Sequence, residues 1–279
     1  MIRLHIAQPL SAGAALAPTL DQSRYLTQVM RLKAGDALAV FNGVDGEWRC
    51  SVAEVLKKGV VLKAEERLRG QVSPPDIELL LAVVKKSALE FAVEKATELG
   101  AARIRLVQTA RTQPQHLRLD RLDAIAEESA EQTGRMDVPP VDDPVKLDAL
   151  LDGWDPARRL MFCDETGGPP ALVALRASPS PGREGQAPQA SSDGAQTGSV
   201  AAPTPSPLRD DAPPRDGEGE APWAILIGPE GGFTPEEGER LRALPYATAV
   251  SLGPRVLRAD TAATVALTLW QAALGDWER

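Results

Sequence analysis

The sequence predicts an α/β protein in which a parallel-sheet domain follows a small β-barrel. Three observations carry this. The first seventy or so residues hold short alternating runs separated by turn chemistry. From residue 76 continuous apolar runs alternate with helical spacing, which marks crossover units. Near the C-terminus two apolar runs, Ala224-Ile225-Leu226-Ile227 and Ala249-Val250-Ser251-Leu252, each break into a glycine loop that precedes a helix. Strands that end in glycine loops are how open α/β sheets build ligand sites, because backbone without side chains admits a ligand to the strand ends.

In chain order, residues 3–6 read as a strand and 21–29 as a short helix capped by Asp21. Residues 37–41 form a second strand, entered through the Ala34-Gly35-Asp36 turn. Asn42-Gly43 and Asp45-Gly46 supply hairpin chemistry before a strand at 47–55, and 60–68 alternates as another after Gly59. The paired prolines within 71–75 place a boundary there, so domains are expected over 1–72 and 73–279. The second domain opens with a strand at 77–84, a helix at 87–99 that stops at Gly100, and a strand at 104–107. This βαβ unit predicts a parallel sheet with right-handed crossovers. A helix at 117–131, the Pro139-Pro140 break, a short helix around 145–151 and a strand at 158–163 follow.

Residues 167–222 are of another kind. They hold eleven of the chain's 24 prolines and no aromatic residue. Such a composition buries too little apolar surface to offset the entropy of ordering, so a disordered insert is expected, with 171–175 as its one ordered turn. The sheet resumes at Trp223, so the insert interrupts a domain. Thr234-Pro235-Glu236-Glu237 then starts a helix with a capping box, and 260–274 is an apolar-faced final helix.

Composition excludes several function classes. No run approaches the ~20 apolar residues of a membrane helix and no signal-peptide core is present, so a cytoplasmic protein without a membrane partner is expected. Cys50 and Cys163 stand far apart and the only histidines are His5 and His116, which suggests neither a disulfide framework nor a metal site. The net charge of −8 argues against indiscriminate nucleic-acid coating. Residues 1–72 nevertheless carry ten Lys and Arg against seven Asp and Glu. That balance is compatible with focused RNA contact and equally with surface scatter.

Gly228-Pro229-Glu230-Gly231-Gly232 lacks the Lys-Ser/Thr of a Walker loop and the spacing of a dinucleotide fingerprint. What raises it above an ordinary turn is the second loop, Gly253-Pro254-Arg255, with Arg258 three residues on and Asp260-Thr261 beyond. Together, 227–233 and 251–262 resemble the C-terminal signature of the bacterial 16S ribosomal RNA uridine N3-methyltransferases, the RsmE family of the SPOUT superfamily. The resemblance extends to Glu94-Lys95-Ala96-Thr97-Glu98-Leu99-Gly100, to Glu131-Gln132-Thr133-Gly134-Arg135 with Val138-Pro139, and to residues 29–36. Departures are Asp260 where the family usually has Glu, the absence of histidines near Arg24-Tyr25, and the long insert.

The resemblance implies a PUA-like RNA-binding barrel, a trefoil-knotted parallel-sheet methyltransferase domain that binds S-adenosyl-L-methionine (SAM), a homodimer, and 16S rRNA of the small ribosomal subunit as partner. It implies cofactor contacts from Leu226, Ile227, Gly228, Pro229, Gly231, Gly232, Ser251, Leu252, Gly253, Val256, Leu257 and Thr261. Methylation at uridine N3 requires loss of the N3 proton. Arg258 is expected to stabilise the developing negative charge and Glu230 to accept the proton or orient the base. For Glu230, holding the turn or pairing with Arg255 or Arg258 is an equal alternative. Arg24, Arg31, Lys33, Lys85 and Arg135 are expected to hold RNA phosphates. A non-catalytic ribosome-assembly factor, or a related methyltransferase acting on another RNA, remains the rival. Deleting residues 179–214 is expected to leave folding and methyl transfer nearly unchanged, checked by thermal unfolding and an rRNA methylation assay.

Overall fold

The computed structural model describes residues 1–113, 117–177 and 221–277. Of the insert expected over 167–222, residues 178–220 lie outside the described residues.

The front of the chain is a five-stranded sheet of order β1-β3-β4-β5-β2. Its strands are β1 (Arg3–His5), β2 (Ala15–Leu16), β3 (Ala37–Phe41), β4 (Glu47–Leu56) and β5 (Gly59–Arg69). β3, β4 and β5 pair antiparallel, and three register shifts between β4 and β5 bend the sheet around Leu4, Leu26, Leu38, Val40, Val52 and Leu62. β2 was not expected; two residues are too short to show alternation. The helix expected at 21–29 is a short α1 (Leu20–Arg24) that continues as a π-helical turn over Tyr25–Val29. Its cap is Thr19 and not Asp21, because Thr19 and Gln22 close a reciprocal capping box two residues earlier.

Behind it stands a six-stranded sheet of order β11-β9-β10-β6-β7-β8, parallel throughout. It comprises β6 (Ile77–Ala82), β7 (Arg103–Gln108), β8 (Val141–Lys146), β9 (Arg159–Cys163), β10 (Trp223–Ile227) and β11 (Ala247–Val250). β6 and β10 are buried along their whole length, as central strands covered on both faces must be. Alternation assigns the faces. Leu79, Leu81, Ile225 and Ile227 pack with α2 (Lys86–Glu98), α3 (Leu119–Thr133), α5 (Ala171–Ala177) and α7 (Ala259–Leu274), while Leu80, Ala224 and Leu226 pack with α4 (Leu147–Asp152) and α6 (Pro235–Ala243). The capping box expected at Thr234 is present, with Pro235 in the first turn.

β8 went unforeseen. Its sequence, Val-Asp-Asp-Pro-Val-Lys, has no apolar run, and it sits at the sheet edge, where Pro144 falls at a register shift and removes no central ladder bond. Arg103 holds it by a bidentate pair with Asp142 at 2.8 and 3.1 Å. The helix expected from 145 therefore begins at Leu147. β11 also begins two residues before the expected run, and Ser251 leaves it through an isolated bridge to Pro170. Among the described residues no helix is long and apolar enough to cross a membrane.

The two sheets are joined at the C-terminus of α3. Helix-end carbonyls lack intrahelical donors. Arg3 supplies them, donating to the carbonyls of Ala130 (2.7 Å), Glu131 (2.9 Å) and Arg135 (2.6 Å) and to the Glu47 carboxylate at 2.6 Å. Arg69 donates to the other Glu47 oxygen at 2.8 Å and to the Gly134 carbonyl at 2.9 Å. Burial would raise the Glu47 pKa, but hydrogen bonds from Arg69 and Arg3 outweigh it and hold the carboxyl below its ordinary range.

Beside this clamp, the backbone N–H of His5 donates to Glu131 at 2.9 Å. Burial pushes the Glu131 carboxyl up to about 7; Glu127 and Glu128 add repulsion, and the bond and charge of His5 oppose it. With the folded value above the ordinary 4.5, the folded state binds the proton more tightly than the unfolded chain. This contribution to stability is full below pH 4.5 and is lost as pH rises through about 7. Glu131→Gln, which keeps the acceptor for His5, should flatten that slope. At pH 8 it should stabilise the protein by on the order of 1–2 kcal/mol after discounting for partial exposure, measured by denaturant unfolding across pH.

Candidate functional site

β9 lies between β10 and β11, so the segments leaving all three strands emerge side by side at the C-terminal edge of the sheet. They enclose a cavity of about 620 Å³, within the range of small-molecule sites. Both glycine loops contribute. Of the residues expected to meet a cofactor, Ile227, Gly228, Pro229, Gly232, Ser251, Leu252, Gly253, Val256 and Leu257 line it, and Glu230 stands among them. Leu226, Gly231, Thr261 and Arg258 do not. Leu226 is fully buried in the core with Leu80, Phe162 and Leu241. Gly231 faces outward, where its carbonyl accepts from Arg111 at 2.6 Å. Thr261 turns its N–H and hydroxyl to the Asp260 carboxylate, at 2.7 and 3.2 Å.

Two glycines leave room that a side chain would fill. A Cβ on Gly228 would stand 3.1 Å from the Phe233 ring, which is itself fixed edge-on against Phe162. Gly232 has φ +65°, and a Cβ there would collide with the Glu165 carboxylate. The polar end of the cavity is built by Asp164, Thr166 and Arg242. Asp164 accepts from the Thr166 N–H (2.9 Å) and hydroxyl (2.7 Å) and from Arg242, which also reaches the Thr166 hydroxyl at 2.6 Å. Burial alone would raise the Asp164 pKa; these hydrogen bonds hold it below the ordinary value. Cys163 also lines the cavity, its thiol pushed up to about 12 by burial, so it stays protonated and unreactive.

The expected catalytic pair lies at the rim. Arg258 is the residue before α7, its side chain 74% exposed, with Nε 3.9 Å from Asp260. Its neighbours Leu257 and Ala259 line the cavity while its own side chain points away. Glu230 is exposed, and among the described residues it forms neither of the pairs expected with Arg255 or Arg258.

The residues expected on RNA divide. Arg24, Arg31, Lys33 and Lys85 are exposed; among the described residues Arg24 meets only Asp21, at 3.3 Å, and Arg31 is held at φ +56°. Arg135 requires correction. It turns inward, bidentate to Asp137 and donating to the carbonyls of Thr97 (2.9 Å) and Ala101 (2.7 Å), so its guanidinium ties α2 to α3 and has no face for phosphate. Residues missed from sequence are Arg111, Asp164, Glu165, Thr166, Phe233 and Arg242. The Asp164-Glu165 pair directly after an apolar strand was a usable signal; Arg111 and Arg242 arrive from elsewhere in the chain. Among the described residues no group of three or more His, Cys, Asp or Glu is placed to hold a metal ion.

A parallel sheet whose strand ends open into a glycine-lined cavity, fronted by a bent five-stranded sheet, is the architecture over which RNA methyltransferase family models match this chain. The family described as RNA methyltransferase domain matches residues 71–183 and 208–271, and that described as RNA methyltransferase PUA domain matches 18–65. The chain is 30% identical over 274 residues to the ribosomal RNA small subunit methyltransferase E of Synechocystis, covering 98% of this chain and 78% of that protein. It is 26% identical to the enzyme of the same name from Rickettsia conorii, over 95% and 93% of the two chains. A solved structure from Legionella pneumophila, holding the bound cofactor SAM, superimposes with a TM-score of 0.76 at 27% identity, over 99% of this chain and 98% of that one. The chain belongs to the ribosomal RNA small subunit methyltransferase E family.

Gly232→Ala places an alanine in a left-handed backbone, while the Glu165 carboxylate it meets is the free end of an exposed side chain and can turn aside. It should lower unfolding stability by about 1–2 kcal/mol, read from denaturant midpoints at constant slope.

Proposed function

We propose that this chain methylates N3 of a specific uridine in 16S rRNA of the small ribosomal subunit, using SAM. The observation that carries the reading is the cavity at the ends of β9, β10 and β11. Its glycine positions give main-chain access, its volume suits a nucleoside-sized ligand, and its lining joins apolar Leu252, Val256 and Leu257 to polar Asp164, Thr166 and Arg242. Ile227, Gly228, Pro229, Gly232, Ser251 and Gly253 supply main chain to that ligand. When bound, SAM supplies an electrophilic methyl group.

The protein's own part is to hold the uridine and take its proton. A neutral imide nitrogen is a poor nucleophile, so N3 must lose its proton as the bond forms. Glu230, exposed at the cavity and unpaired among the described residues, accepts that proton or orients the base. Arg258 stabilises the negative charge that spreads over the uracil oxygens; its exposure and its single long contact to Asp260 leave the guanidinium free to turn toward an incoming base. The target base must be unstacked to reach the site. Arg24, Arg31 and Lys33 on the front domain, residues 1–72, and Lys85 on the methyltransferase domain, residues 73–279, hold phosphates around it.

The chain works as a homodimer with the cavity near the interface between copies. Val256, 78% exposed beside the cavity, is one apolar side chain that such a partner would cover. The C-terminal part of the chain threads through a loop to form a trefoil knot, and the protein works in the cytoplasm. Arg258→Ala should lower methyl transfer about 100-fold or more while adenosyl-ligand affinity changes less than about threefold. Wild-type activity in that variant would remove Arg258 from the mechanism. Mass spectrometry of 16S rRNA from cells lacking the protein should show one N3-methyluridine missing; an intact pattern would overturn the reading.

A further inference from the structure

We propose that Glu165 binds the ribose of the adenosyl ligand through its vicinal hydroxyls, an inference that rests on the methyltransferase reading. Glu165 leaves the end of β9, the strand flanked by β10 and β11, and so lies between the two glycine loops. Its neighbour Asp164 is engaged on every side: the N–H donates to the Val250 carbonyl at 2.9 Å, and the carboxylate is taken by Thr166 and Arg242. Glu165 differs. It lines the cavity, is exposed to it, and makes no hydrogen bond or ion pair among the described residues.

The fold nevertheless makes room for this side chain. Its carboxylate rests on Gly232, so closely that any Cβ at 232 would strike it, and Gly232 adopts a left-handed φ of +65°. A carboxylate is acceptor-only, with two oxygens that match two adjacent O–H donors. A cis-diol is such a pair, and a carboxylate just beyond a strand end, beside a glycine loop, is where α/β nucleotide sites hold ribose. The adenine offers no equivalent pair of hydroxyl donors. The ligand's ammonium is the competing partner, and the test separates the two.

The full-length protein and Glu165→Gln are titrated calorimetrically with S-adenosylhomocysteine, its 2′-deoxyribose analogue, and 5′-methylthioadenosine, which keeps the ribose and lacks the amino acid. Expected are an about tenfold loss for S-adenosylhomocysteine and for methylthioadenosine alike, and collapse of the wild-type preference for ribose over 2′-deoxyribose toward unity. Glu165→Asp, which keeps charge and shortens reach, should fall between them and serves if the amide variant folds poorly. Unchanged affinities, a surviving ribose preference, or a loss confined to S-adenosylhomocysteine, which would place the carboxylate on the ammonium, each overturns the inference. If the wild-type protein binds none of the three ligands, the methyltransferase reading itself falls and this inference with it.

Discussion

Parallel strands cannot be joined by tight turns, so every connection in the six-stranded sheet must cross a face and return. All six strands therefore finish at one edge, and the segments leaving β9, β10 and β11 have to share it. The cavity follows from that constraint. Where three backbones leave neighbouring strands together space is short, and the glycines at 228 and 232 let the Phe233 ring and the Glu165 carboxylate pack against main chain. The same crowding ties the edge together: the Ser251 N–H donates to the Pro169 carbonyl at 2.9 Å and the Ala171 N–H to the Ser251 carbonyl at 3.0 Å, fixing the second loop against the chain that follows β9.

The front sheet is held by a different principle. Helix α3 presents unsatisfied carbonyls at its C-terminus, and Arg3 and Arg69 answer them from the front sheet; Arg135, just beyond α3, instead donates to Thr97 in the last turn of α2. A lone buried carboxylate at Glu47 would be costly; between Arg3 and Arg69 it is satisfied at both oxygens. These bonds fix the front sheet against the C-terminal end of α3.

Much of this was legible locally. Capping chemistry located the start of α6 to the residue, continuous apolar runs located β6 and β10, and the ordered turn expected at 171–175 in the insert is a helix, α5. Failures came where local chemistry was ambiguous or silent. Thr19 and Asp21 are both good caps, and only the partner at Gln22 chooses between them. β8 carries two aspartates and a proline that read as loop, because an edge strand needs neither apolar faces nor a full ladder. Arg135 lies in a motif that reads as RNA-facing, yet it donates to Asp137, to the Thr97 carbonyl in the last turn of α2 and to the Ala101 carbonyl beyond that helix.

By itself the sequence determined the fold class, the family, and the two loops that bound the site, because these depend on periodicity, glycine and capping chemistry expressed over a few residues. Tertiary structure alone decided which groups face the cavity. Leu226 and Ile227 are adjacent and both buried, yet strand alternation sends Leu226 to the face covered by α4 and α6 and Ile227 to the opposite face, where it also borders the cavity. Arg111 and Arg242 arrive from distant parts of the chain, and the free carboxylate of Glu165 differs from its neighbour Asp164 only in what the fold brings within reach. Position along the chain says what a side chain can do; packing determines what remains for it to do.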